Sequence, residues 1–424
     1  METSQFQRAL TLGLGRAVLH LRHHDGSLYR DVILDACIHN RAYDPQVEGS
    51  RAEYMIDVMR ESGEAAFFAD AVLASLSYPE HSWDTPQRFE LARRLAQGGS
   101  AGARKAMYAA FEARGFSGSD TAVEFIALDG LEGLLFVVSQ IGAQLARNSQ
   151  QWEDQYLLDE ARRLCGQETV DAALRDAAGS NANVAAYLDA VSKNIALRTE
   201  TSGPDPKELT YVQIRGLIDA GRAGGLLAQW AQVASDSDLE TAARDLIQEH
   251  DPKKLKSYLN IFRKRRFPLE VSALLTLAEL PDGPVPRHAL GVLANLQDEG
   301  IRSLALGLVE TASSKRAYSI DLLVQNFRDG DHRIVEAWCD AESDPEIVNA
   351  FDRSLRDFFV AHPDTNVETR LLHSLYGKEP CAHCRFSIVE RLNQLGVLTE
   401  EIRRECEYDS YPDTRSLVKI RSAI

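Results

Sequence analysis

FPLEVSALLTLAELPDGPVPRHALGVLANLQDEGIRSLALGLVETA, residues 267–312, decides the fold class, because three short helical patterns follow one another there with turn chemistry between them. Val271, Leu274, Leu275 and Ala278 fall at i, i+3, i+4 and i+7, which gives one side of a helix an apolar stripe. Pro281, Asp282, Gly283 and Pro284 end that pattern. Ala289, Val292, Leu293 and Leu296 repeat the spacing; Pro286 suits a helix start, where the N–H it lacks would have had no partner. After a break at residues 297–300, Ile301, Leu304, Ala305, Leu308 and Ala312 repeat it once more. Helices this short are marginal alone in water, so each must bury its stripe against a neighbour. The expected fold is all-α, a right-handed α-solenoid of stacked antiparallel helix pairs.

Working outward, the same periodicity recurs on both sides. Phe67, Phe68, Val72, Leu73 and Leu76 form one stripe, Ile347, Ala350, Phe351, Leu355 and Phe358 another. No segment alternates with period two while being rich in β-branched residues, so strands are not expected. Ser202, Gly203, Pro204 and Pro206 mark residues 198–207 as a linker between an N-terminal helical domain of irregular pairs, residues 1–197, and a repeat domain, residues 208–424. Within the latter, alternate helices start near Leu269, Gly300, Asp331, Asn366 and Thr399, a period of about 31 to 35 residues.

Several of these helices begin with an acidic residue, then Arg, then small and apolar residues. Asp298 precedes Ile301, Arg302 and Ala305; Asp331 precedes Arg333; Asp413 precedes Arg415 and Leu417. On these features the chain resembles the HEAT-like α-solenoid proteins, including the short-repeat variety seen in bilin-lyase-type repeats, most clearly over residues 267–424. The resemblance implies that acidic and Arg side chains tie successive repeats together. It implies a scaffold class and not a chemistry.

Composition narrows the function classes. A chain of 424 residues with 63 Asp plus Glu against 47 Lys plus Arg carries a formal charge of −16. Affinity for a phosphate backbone needs the opposite sign, so nucleic acid is an expected partner only through a local basic patch. No apolar run approaches the roughly 20 residues of a membrane-spanning helix. The start of the chain lacks a basic n-region followed by an apolar h-region, and six cysteines are too few and too uneven for a disulfide framework. A cytoplasmic protein without membrane association is expected.

Three groups of residues could form a site. Cys381 and Cys384 match half of a zinc site, with Cys406 and His373 as the only candidates to complete it; Cys381 after Pro380 could also be a helix-start thiolate, and the register of Cys384 with Ile388 and of Cys406 with Ile402 equally fits core packing. Lys253, Lys254, Lys256, Arg263, Lys264, Arg265 and Arg266 surround the stripe Leu255, Tyr258, Leu259 and Phe262; they could hold phosphates or an acidic partner, or be a solvated face. Tyr43, Asp44, Glu48 and Arg51 lie on a polar connection that could bind a partner or pair internally. His20 and His24 are one turn apart but lack the Glu of a zinc-protease helix. Gly13 and Gly15 are not followed by the Lys and Ser/Thr of a phosphate loop, and point to close packing instead.

No nucleophile–base–acid order, HExxH helix or dinucleotide fingerprint occurs. The expected function is a non-catalytic interaction protein that binds a protein or peptide on a solenoid surface, with no cofactor beyond the zinc just considered. The alternatives are a HEAT-like DNA-binding or DNA glycosylase-type enzyme, and a bilin-lyase-like chaperone.

Overall fold

Acidic caps and prolines place the helix starts. Asp251 accepts from the N–H groups of Lys253 and Lys254 ahead of the helix Pro252–Ile261, Asp298 caps Glu299–Val309, Asp344 caps Pro345–Ala361 and Asp364 caps Thr365–Tyr376. In each case the carboxylate satisfies backbone donors that have no partner inside the helix. The computed structural model describes residues 1–114, 119–148, 153–200 and 205–419; among them it is all-α, with 27 α-helices and no strand. Residues 201–204 of the expected linker lie outside the described residues, and Asp205 caps a short 3-10 turn, Pro206–Glu208, just after them.

The chain divides into two units: residues 1–202 with 381–386 and 398–424, and residues 203–380 with 387–397. The first unit has a continuous apolar core running from Leu76 to Val191, in which Phe89, Phe111 and Phe125 are fully enclosed. Its other part joins N-terminal helices to the C-terminal segment. Phe6, Leu10, Leu14, Val18 and Leu21 have the spacing of one amphipathic helix over residues 5–22, but the chain breaks into Thr3–Leu12 and Arg16–Leu21. The cause is Gly13, whose φ of 70° is open to glycine at no steric cost. A side chain on it would also collide with Ser410, and one on Gly15 would lie 1.9 Å from the carbonyl oxygen of Glu405. The glycine pair therefore packs closely, as its sequence suggested, and what it packs against is the C-terminal segment, held by a hydrogen bond from Ser410 N–H to the Gly13 carbonyl at 2.9 Å.

Charged pairs secure this junction. Arg385 and Asp409 are both 0% exposed and meet at 3.1 Å, Arg16 reaches Glu405 at 2.8 Å, and Arg415 bridges Glu53 and Asp57, each at 2.9 Å. Desolvating such groups offsets most of their attraction, but removing one partner strands the other. The junction thus selects one arrangement of chain segments distant in sequence.

In the second unit the helices pack on near neighbours in sequence: Pro284–Leu293 on both Pro252–Ile261 and Ser272–Glu279, Ser319–Val324 on Pro345–Ala361, and Asp331–Ala341 on Thr365–Tyr376. Buried apolar stripes supply most of the attraction, and polar side chains fix the spacing. Arg302 makes a bidentate pair with Asp331 at 2.6 and 2.8 Å, joining Glu299–Val309 to Asp331–Ala341. Lys315 donates to the carbonyls of Ala278 and Leu280, and Lys378 does the same for Cys339 and Asp340. Each lysine neutralises the open carbonyls at the end of an earlier helix.

Candidate functional site

Along Pro345–Ala361, the buried residues Phe351, Leu355 and Phe358 take one side, while Ile347, Ala350, Arg353, Ser354, Asp357 and Val360 share another. That second side forms one wall of a groove of about 1040 Å³. Arg287, Gly291, Ala294 and Asn295 come from Pro284–Leu293 and the residues after it, Ser314, Ala317 and Tyr318 from the 3-10 turn Ser314–Tyr318, Asp321, Val324 and Gln325 from Ser319–Val324 and its end, and Arg263 from just beyond Pro252–Ile261. Among the described residues, Ser272–Glu279, Glu299–Val309 and Asp331–Ala341 contribute nothing to the lining, so alternate helices share one surface.

Three arginines reach this space, and none of Arg263, Arg287 and Arg353 is in an ion pair among the described residues, whereas Lys254 pairs with Asp219 at 2.6 Å and Arg265 with Asp236 at 3.4 Å. Arg287 donates only to Ser314 Oγ at 3.2 Å. Tyr318 lies half-buried beside them; burial pushes its hydroxyl above the usual phenol value, the charge of Asp321 adds to this, and Arg287, Arg263 and Arg353 oppose it. Asp321 is half-buried: burial raises its carboxyl above the ordinary aspartate value, the Ser354 hydroxyl and the charge of Arg353 oppose the rise, and the charge of Asp357 adds to it. His288, beside the groove, is shifted down by burial and by the charges of Lys256 and Arg263.

The floor is kept low by small residues. A side chain on Gly291 would meet no atom within 4 Å, although glycine inside a helix costs about 1 kcal/mol relative to alanine. Beyond Val360, which is 84% exposed and also lines the groove, a second pocket of about 320 Å³ opens between Pro345–Ala361, Thr365–Tyr376 and the later part of Ala382–Gln394. Leu355, Phe359, Leu371, Leu372 and Ile388 give it an apolar interior. At its mouth Arg391 is paired with Glu368 at 2.7 Å and Arg356 with Asp352 at 2.8 Å.

Of the basic residues singled out in the sequence, only Arg263 lines the groove; Lys253, Lys256, Lys264 and Arg266 are exposed. The run of cations over residues 253–266 is not one helix: Pro252–Ile261 ends before Phe262, which is buried with its ring 5.0 Å from that of Phe267. Arg287, Arg353, Tyr318 and Asp321 were not singled out. Their signal is faint, a polar stripe opposite an apolar one on every second helix.

The polar connection at Tyr43 turns its charges inward. Asp44 caps the single helical turn Pro45–Glu48 and donates its own N–H to Glu48 at 3.0 Å, and Glu48 pairs with Arg51, both buried. Cys381 is buried at the start of Ala382–Gln394, and its thiol is raised well above the usual range by a hydrogen bond with Cys384 and by burial. Cys406 is buried too. Among the described residues no three His, Cys, Asp or Glu side chains are placed to hold a metal ion, at these cysteines or at His20 and His24, whose rings stack at 3.8 Å.

No helix among the described residues is long and apolar enough to cross a membrane. The chain matches no protein family, no curated protein and no solved structure.

Proposed function

We propose that this chain is a non-catalytic interaction protein, that its second unit is a HEAT-like array of antiparallel helix pairs, and that the groove between Arg263 and Ala361 receives a segment of a protein partner. The observation that carries the reading is the groove itself, about 1040 Å³, walled by alternate helices and lined by arginines without ion-pair partners. Stacked repeats present extended surfaces of this kind to proteins and peptides. The Arg302–Asp331 pair and the equivalent tasks of Lys315 and Lys378 support the repeat assignment, since each ties one helix pair to the next. Six free cysteines accord with a reducing, cytoplasmic setting.

Site-specific photo-cross-linking tests this. A photoreactive residue at Gly291, in the groove, is compared with one at Gly307, which lines a different pocket and is equally open. In extracts of the native host the expected result is discrete protein adducts from position 291 that position 307 does not give. Equal adducts at both positions, or nucleic acid as the main adduct at 291, would contradict the reading.

A further inference from the structure

We propose that Cys381 and Cys384 form a reversible dithiol–disulfide site, in which a hydroperoxide oxidises the Cys384 sulfur and Cys381 closes the bond onto it. The site is independent of the groove and lies at the start of Ala382–Gln394, within the first unit.

Backbone geometry brings the two sulfurs together. The Cys381 carbonyl accepts from the Arg385 N–H at 2.9 Å, so Cys381 caps the helix and Cys384 stands one turn further along the same face. Cα atoms three residues apart on a helix are separated by about 5 Å, inside the window of roughly 4.4–6.8 Å that a disulfide spans. The Cys381 sulfur accepts from the Cys384 backbone N–H, and the two thiols are hydrogen-bonded to each other. Neighbouring side chains hold this turn in place: His383 Nδ1 meets the Tyr411 hydroxyl at 3.0 Å, and Arg385 pairs with Asp409 at 3.1 Å. A metal would need further ligands, and among the described residues no third His, Cys, Asp or Glu joins the pair.

Exposure assigns the roles. Cys384 is half-buried whereas Cys381 is 3% exposed, so an oxidant arriving from solvent meets Cys384 first. The Cys381 thiol is pushed up by its hydrogen bond with Cys384 and by burial, so it keeps its proton while Cys384, in the first turn of a 13-residue helix, ionises. With hydrogen peroxide, the Cys384 thiolate attacks one oxygen; the S–O bond forms as the O–O bond breaks, giving a sulfenic acid and hydroxide. The Cys381 sulfur then attacks Cys384. The S–S bond forms as the S–O bond breaks, and the Cys381 proton leaves with the hydroxyl as water. Two electrons pass from the two sulfurs to the peroxide, and a dithiol reductant restores the pair by thiol–disulfide exchange. Such a transient bond is compatible with the reducing setting proposed above. Cys37 shows the contrast: it is fully enclosed, and burial pushes its thiol up to about 12, as for an inert packing cysteine.

The test treats the native full chain with hydrogen peroxide, alkylates it after unfolding and reads the tryptic peptide of residues 379–385, which contains both cysteines. The expected result is a peptide that has lost two hydrogens and takes no alkyl group, a change that dithiothreitol reverses. Cys384→Ser should abolish the oxidation and leave Cys381 alkylated. Cys381→Ser should leave Cys384 as a sulfenic acid that dimedone captures, which a pair serving only to fill the core would not give. The parent chain alone decides the matter should either variant fail to fold. A parent peptide that stays alkylated at both sulfurs, a lasting dimedone adduct on the parent Cys384, or disulfides joining separate chains would each overturn the proposal.

Discussion

The junction of the first unit and the groove of the second use charge in opposite ways. In the first, Arg385 and Arg415 are buried and engaged by Asp409 and Asp57, so the polar groups hold segments of the chain distant in sequence together. In the second, Arg263, Arg287 and Arg353 stand open around a groove. A buried pair specifies the fold, because an unpaired member is costly; an open arginine contributes little to the fold and remains available to a partner. The difference separates the part of the molecule that secures its architecture from the part that presents a surface.

The comparison breaks most readily at Arg385. Arg385→Ala should destabilise the protein by about 3–5 kcal/mol, since it leaves Asp409 charged and enclosed, whereas Arg353→Ala should stay within about 0.5 kcal/mol of the parent; chemical denaturation of both variants would show whether that contrast exists. Glycines give the next largest contrast. Gly15→Ala forces a methyl group against the Glu405 carbonyl and should cost about 1–3 kcal/mol, while Gly291→Ala meets open space and should stabilise by up to about 1 kcal/mol. Thermal melting of the pair distinguishes them, and equal effects would mean that Gly291 is under packing constraint after all.

A smaller effect is expected at Asp321. Its carboxyl is raised in the folded state, so the cost of keeping it charged is absent below the unfolded value of 3.8 and fully present above the raised one. Asp321→Asn should therefore raise the melting temperature at neutral pH and lose that advantage as the pH falls through the raised value. The smallest effect concerns the cysteines. With its thiol shifted up, Cys381 should resist alkylation at pH 7 in the native protein and react only on unfolding; rapid native labelling, or a native mass carrying tightly held zinc, would reassign it.

Periodicity made the helices legible, and the cap at Asp298 made the start of its helix legible, because both depend on residues close in sequence. The close packing at Gly13 and Gly15 could be read as well, but its partner could not: Ser410 and Glu405 are some four hundred residues away, and nothing local in either stretch announces the other. The groove was hidden for a related reason. Arg263 belonged to a conspicuous run of cations, yet Arg287, Tyr318 and Arg353 are single residues on separate elements, and only stacking brings them to one surface. A dense charge run draws the eye although most of its members, such as Lys253 and Lys264, face solvent away from the cavity. Glu48 and Arg51 show the converse, a loop with the composition of a binding segment whose charges satisfy one another.

Hydrogen–deuterium exchange on the full chain, with and without the protein partner captured at position 291, addresses the division of labour most directly. Slowed exchange confined to residues 287–295, 314–325 and 346–361, with the junction of Gly13 and Ser410 unchanged, is the result this account predicts. Protection centred on the first unit, with those three segments unaffected, would contradict it.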